Sequence, residues 1–175
     1  SLMIMLLKHC DRVRSASRAQ LVNVIAPIMT SENGEAWRQT VFWPFAEAAH
    51  HAKGEAYSPI IDSPTLQTES FGTVNAIDSV ITWDKDSRTG LVLMVNRSQS
   101  NQYDVAISLG DLPNFNANAF TLNRTMLLHD NDPHQCNTED NPDAVVPGNL
   151  SVTASDAIIT ATLPAISWAA IEFHA

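Results

Sequence analysis

The sequence predicts a mainly β chain, an antiparallel β-sandwich of jelly-roll type preceded by a short α/β unit. Three observations carry this. From Glu55 onward, short β-rich runs are separated by turn residues, with no helical pattern between them. Tyr103, Val105, Ile107 and Leu109 alternate with polar neighbours, the period of a half-buried strand. Residues 1–54 instead follow the order helix, short buried run, loop, helix, which is that of an α/β unit.

In order, Leu2 to Leu7 is nearly continuous apolar and reads as the end of a buried helix, with Lys8 and His9 near its C-terminus, where cations are favoured. Ser15 to Ala19 is small and polar for a strand. The buried run Val22 to Ile28 carries Pro27, which blocks a long helix. Ser31 to Glu35 is a turn, and Ala36 to Ala52 a helix interrupted at Pro44 and closing near Lys53-Gly54. The change of period near residue 54 divides the chain into 1–54 and 55–175. Strands are expected at Tyr57–Ile61, Val74–Trp83, Leu91–Asn96, Tyr103–Leu109, Phe120–Leu128, Asn149–Thr153, Ile158–Leu163 and Ser167–Phe173. Asp84–Gly90 is a hairpin loop, and Asp130–Gly148, with its prolines and Asn/Asp residues, a long surface loop. Eight strands without intervening helices suit a sandwich.

Composition narrows the function classes. A net charge of −9 argues against nucleic acid and anionic membrane surfaces as partners. No run reaches the roughly 18 apolar residues of a membrane span, and Leu2–Leu7 is too short for a signal segment. Two cysteines, Cys10 and Cys136, far apart and outside any C-x-x-C pattern, read as free thiols in a reducing, cytoplasmic compartment. His129, His134, Cys136, Glu139 and the neighbouring aspartates match no zinc or EF-hand spacing, so neither metal nor other cofactor is expected.

Catalytic candidates are few. Glu32 and Glu35 share a polar turn, where nothing desolvates them. Glu47 is placed on a solvated helix face, Glu55 just after the helix, and Glu172 in the last strand. There is no G-x-S-x-G elbow, and His50-His51 sit at an exposed helix end. No catalytic residue is assigned. Trp37, Trp43, Trp83 and Trp168 could stack on a sugar ring, but core packing is the better reading for at least three of them. The odd feature is Gln20 and Asn23 beside or within the buried run, because a buried amide costs free energy unless something bonds it. A polar residue at the end of a buried strand is a candidate ligand contact.

Residues His9-Cys-Asp-Arg-Val13, Ala19-Gln-Leu-Val-Asn-Val-Ile-Ala-Pro-Ile-Met-Thr30 and Ala36-Trp-Arg-Gln-Thr40 with Pro44-Phe45 carry a resemblance. Further pieces follow in order: Asp62-Ser-Pro-Thr65, Val95-Asn-Arg-Ser98, Asn137-Thr138, Val145-Val-Pro147, Leu163-Pro164 and Ser167-Trp168. Together they resemble the late part of the α-L-arabinofuranosidases of glycoside hydrolase family fifty-one. That resemblance implies that 1–54 is the last helix, strand and helix of a (β/α)₈ barrel, and that 55–175 is a C-terminal β-sandwich. It implies a retaining mechanism whose two catalytic glutamates lie outside this chain, so the 175 residues alone are expected to be inactive. It implies that Gln20 hydrogen-bonds the arabinofuranose, work that suits an amide offering both donor and acceptor. Asn23 is read as a loop-fixing amide. Arabinose-containing oligosaccharides are the implied substrates, and the family's habit of forming oligomers makes a homo-oligomer the expected state. A single β/α unit cannot bury both faces by itself, so apolar area around Val22–Ile28 should be exposed. The chain departs from the family at Cys10 and at Ala169-Ala-Ile-Glu-Phe173. The rival from another class is a non-catalytic carbohydrate-binding or purely structural sandwich, which would need surplus exposed aromatics for sugar.

Overall fold

A computed structural model describes all residues, 1–175. Its centre is an antiparallel sandwich. The elements are α1 (Leu2–Lys8), β1 (Ile28–Thr30), β2 (Ala36–Arg38), α2 (Phe42–His51), β3 (Glu55–Tyr57), β4 (Thr65–Thr68), β5 (Gly72–Asn75), β6 (Ile77–Asp84), β7 (Thr89–Asn96), β8 (Tyr103–Ser108), β9 (Thr121–Leu128), β10 (Val152–Ser155), β11 (Ile158–Leu163) and β12 (Ser167–His174). One sheet has five strands in the order β3-β6-β7-β12-β9, the other three in the order β10-β11-β8. These are the eight expected strands, with shifted ends. β3 ends at Tyr57, and residues 58–64 run on as an irregular strap.

The two sheets are built from different sequence patterns because they are buried differently. β11 alternates buried and exposed residues, and β8 half-buried and exposed ones, since only one face of each meets the core. β6, β7 and β12 are buried almost continuously, since both of their faces are covered. Between the sheets lie Ile81, Trp83, Val92, Met94, Ile159, Leu163, Ile171 and Phe173. On the outer face of the five-stranded sheet, Val80, Leu91, Leu93, Trp168 and Ala170 pack against Ile4 of α1 and Ala48 of α2. The helices thus form a third layer on the sandwich. Lys8 at the end of α1 is fixed to Asp78 at 2.5 Å, and the other oxygen of Asp78 takes Arg97 at 2.5 Å.

The β6–β7 hairpin closes through Asp84, whose carboxylate accepts the Ser87 hydroxyl at 2.8 Å and the Asp86 N–H at 3.0 Å. These bonds hold its carboxyl below the usual range. Beside the hairpin's turn, Trp83 and Phe173 stack at 5.6 Å, and the Trp83 indole N–H donates to the Pro113 carbonyl at 2.8 Å.

Three expectations are corrected. Ala36–Arg38 is a strand, not helix: it pairs with β1 across the Ser31–Glu35 turn, and the helix starts only at Phe42. Pro44 therefore falls in the first turn of α2, where backbone N–H groups have no intrahelical partner, and costs the helix little. Ser15–Ala19 forms no strand, and Val22–Ile28 is no strand either: Val22 makes only a single bridge to Ile28, where β1 begins. Val74–Trp83 is broken at Ala76; its first part belongs to the β4–β5 hairpin, a polar pair that the sequence pattern hides.

Candidate functional site

The segment around Gln20 is held by a small set of polar bonds. Asn23 Oδ1 accepts the Thr30 N–H at 2.7 Å, while Asn23 Nδ2 donates to Thr30 Oγ1 at 2.9 Å. The Asn23 N–H donates to the Ile28 carbonyl at 2.8 Å, and Arg18 Nη2 reaches the Ile25 carbonyl at 2.8 Å. Asn23 is therefore the loop-fixing amide the sequence indicates. Gln20 is different. It is exposed, its backbone is left-handed at φ 55°, and no side-chain bond within the chain uses its amide. Asn23 at φ 63° and Val24 at φ 59° share that conformation, which a β-branched residue such as Val24 rarely adopts. The apolar side chains here do not form a buried run. Leu21, Val22, Val24 and Ile25 are 43–78% exposed.

The β1–β2 hairpin beneath this segment is clamped from the far end of the sequence by the loop after β9. Trp37 Nε1 and Gln39 Nε2 both donate to the Asn137 carbonyl, at 3.1 and 3.0 Å. The buried Asn137 side chain in turn donates to the carbonyls of Arg38 at 2.8 Å and Val145 at 3.0 Å, and accepts the Val145 N–H at 2.7 Å. Ser31 Oγ donates to Glu139 at 2.5 Å. Asn137 positions the hairpin. Its role as a clamp does not show in the sequence, since its partners in the hairpin lie about a hundred residues away. No three His, Cys, Asp or Glu side chains are placed to hold a metal ion together.

A retaining glycosidase needs two carboxyl groups roughly 5 to 5.5 Å apart in a substrate cleft. Glu32 and Glu35 are exposed in their turn. Glu47 is a correction: it is buried, 5% exposed, not solvated. Arg124 Nη2 meets its Oε1 at 2.5 Å, and Arg124 Nε lies 3.5 Å from Glu172 Oε2. His51 Nδ1 lies 3.6 Å from the other Glu172 oxygen. Burial pulls the Arg124 pKa down, but the two carboxylates outweigh that and set it above the ordinary value. Glu47 and Glu172 thus share one guanidinium under α2, and neither lines the cavity beside β8 or the one beside the β6–β7 hairpin. They bind helix to sheet. The tryptophans do likewise: Trp83 and Trp168 are core, Trp37 is half-buried and bonded to the loop, and Trp43 is half-buried under Arg38. Phe71, 85% exposed, is the one strongly exposed aromatic, so no aromatic platform favours the carbohydrate-binding-module reading.

Known proteins resemble this chain along its whole length. It is 57% identical over 176 residues to an intracellular exo-α-(1→5)-L-arabinofuranosidase of Bifidobacterium longum, covering 99% of this chain and 31% of that protein. It is 38% identical to the enzyme of that name from Streptomyces lividans, covering 98% of this chain and 25% of the relative. The structure of a family 51 α-L-arabinofuranosidase from B. longum superposes with a TM-score of 0.93 at 57% identity, over 99% of this chain and 33% of that one. An arabinose complex of the Thermotoga maritima α-L-arabinofuranosidase, at 22% identity and a TM-score of 0.81, shares the fold over 98% of this chain and 36% of its own. The chain spans between a quarter and a third of the length of these curated relatives. A family model described as the α-L-arabinofuranosidase C-terminal domain matches residues 1–167. With the sandwich, the helical layer on it and this agreement in sequence, the chain belongs to the α-L-arabinofuranosidase C-terminal domain family.

Proposed function

We propose that this chain is the C-terminal part of an exo-acting, retaining α-L-arabinofuranosidase that releases terminal α-L-arabinofuranosyl residues from arabinan and arabinoxylan oligosaccharides. The observation that carries the reading is agreement with an arabinofuranosidase over 99% of the chain, in both sequence and fold. In this reading the double displacement belongs to two glutamates outside the 175 residues, one attacking the anomeric carbon and one serving as acid and then base. The chain's own acids stay structural. Residues 1–54 complete the barrel, 55–175 buttress it, and Gln20 contacts the sugar. A free side-chain amide on a left-handed backbone supports that role, because such conformations gather at binding sites. The two free, exposed cysteines and the intracellular relatives favour the cytoplasm as its compartment.

The test compares the full-length protein with the 175-residue chain on 4-nitrophenyl α-L-arabinofuranoside. The full-length protein should hydrolyse it and the chain alone should not. In the full-length protein, Gln20→Ala should lower kcat/KM about 3- to 10-fold, the worth of a hydrogen bond to an uncharged group, with the unfolding midpoint unchanged. Hydrolysis by the chain alone that disappears when one of its own acids is replaced would overturn the reading.

The exposed run Leu21, Val22, Val24 and Ile25 also supports self-association. By light scattering, the 175-residue chain should run as a dimer or larger, and V24S/I25S should shift it toward monomer. A monodisperse monomer of the unmodified chain argues against this.

A further inference from the structure

The sandwich is not sealed along one side. β8 is the edge strand of the three-stranded sheet, and its inward residues Tyr103, Val105 and Ile107 stay half-buried although they pack on the core. Facing it, β3 pairs only with Ile81–Trp83, so the earlier part of β6 lacks a strand on that side. The strap 58–64 crosses there, held where Ser63 Oγ accepts the Ile77 N–H at 3.1 Å and the Pro64 carbonyl accepts the Ala76 N–H at 2.8 Å. Between strap, β6 and β8 lies a cavity of about 530 Å³. That is the size of a small-molecule site.

Three features of the cavity are independent of one another. Its walls include Ile77, Ile81, Met94 and Leu112. Ser79, 6% exposed, shares a face of β6 with Ile77 and Ile81 and so points between the sheets into this space, yet its hydroxyl has no hydrogen-bond partner. An orphan buried hydroxyl costs free energy that a ligand group could recover. The third feature is charge. Asp62, Asp104 and Asp111 border the cavity, and no Lys, Arg or His does. Asp104 is already bonded to Thr162 Oγ1 at 2.5 Å, whereas Asp62 and Asp111 form no salt bridge and no side-chain hydrogen bond.

We propose that this cleft is a second binding site, for a small amphiphilic amine whose apolar body lies between the sheets, whose polar end bonds Ser79 and whose ammonium lies at the acidic rim to which Asp62 and Asp111 belong. An apolar floor alone would take many hydrophobes; the orphan hydroxyl and the one-signed rim narrow the choice to this class. The site is separate from the Gln20 segment and needs no part of the arabinofuranosidase reading.

Tyramine is a suitable probe, having a phenol, an apolar body and an ammonium. In a titration followed by the Met94 methyl resonance, tyramine should shift the signal saturably, and 4-hydroxyphenylacetate, similar in size but anionic, should not. Ser79→Ala should weaken tyramine about 3- to 10-fold while leaving phenethylamine, which lacks the hydroxyl, unchanged. D62N/D111N should weaken both amines roughly tenfold. The proposal is overturned by no tyramine shift at millimolar concentration, by equal binding of the anion, or by affinity indifferent to both variants. A response to L-arabinose in place of the amines would also overturn it, marking the cleft as a sugar subsite.

Discussion

Replacing Arg124 with methionine is expected to destabilise the protein by about 3 kcal/mol, near the lower end of what breaking a buried ion pair costs. The substitution keeps the aliphatic stem and removes the guanidinium, which leaves Glu47 5% exposed beneath α2 with its charge uncompensated. Arg124 itself is 39% exposed, so water reaches the vacated side and holds the loss to that lower end. The Glu172 carboxylate, 3.5 Å from Arg124 Nε, loses a partner as well. The pair itself contributes less to stability than its breakage suggests, because Glu47 was desolvated to form it. E47M/R124M should therefore recover most of the loss. Urea unfolding of the wild type, both single variants and the double closes the cycle. A loss under about 0.5 kcal/mol in the single variant would place Glu47 in contact with solvent.

Truncating Phe173 to alanine should cost about 3 to 5 kcal/mol, the range for removing a buried aromatic. Phe173 is fully buried in β12, stacked on Trp83 and edge-on to Phe115 and Phe120 at 6.1 and 6.0 Å. Its ring also explains a glycine. Gly90 is the register partner of Phe173 across β7 and β12, and a Cβ there would lie 2.2 Å from the ring's Cζ. Gly90→Ala should cost about 1 to 3 kcal/mol through overpacking. In a Phe173→Ala background the same change should cost far less, since the cavity receives the methyl. Additive losses in thermal unfolding of the double variant would mean that the two sites do not share this space.

The sandwich was legible because its strands carry strong period signals. Tyr103, Val105 and Ile107 alternate, and Leu91–Val95 runs apolar because both of its faces are covered. What escaped reading lacks such signals. β4 and β5 are mostly polar, so their pairing depends on backbone bonds rather than a buried face. Ala36–Arg38 fits a helix locally but is captured by β1 across a tight turn. The burial of Glu47 follows from an arginine 77 residues later, which no window of sequence can show. At the candidate site, Asn23 was legible from its residue type, while the clamp by Asn137 was not, for the same reason of distance.

The place of β12 sets a schedule for biosynthesis. Residues 167–174 lie between β7 and β9 in the five-stranded sheet, so both neighbours lack a central partner until this strand arrives. As the nascent polypeptide leaves the ribosome, β6 and β7 can join at once through their short hairpin, but β9 must wait for residues some forty positions downstream. Such non-local pairing is slow, and the waiting strand edges are open to wrong partners. The five-stranded sheet is therefore completed late, with its greatest exposure to aggregation just before β12 emerges.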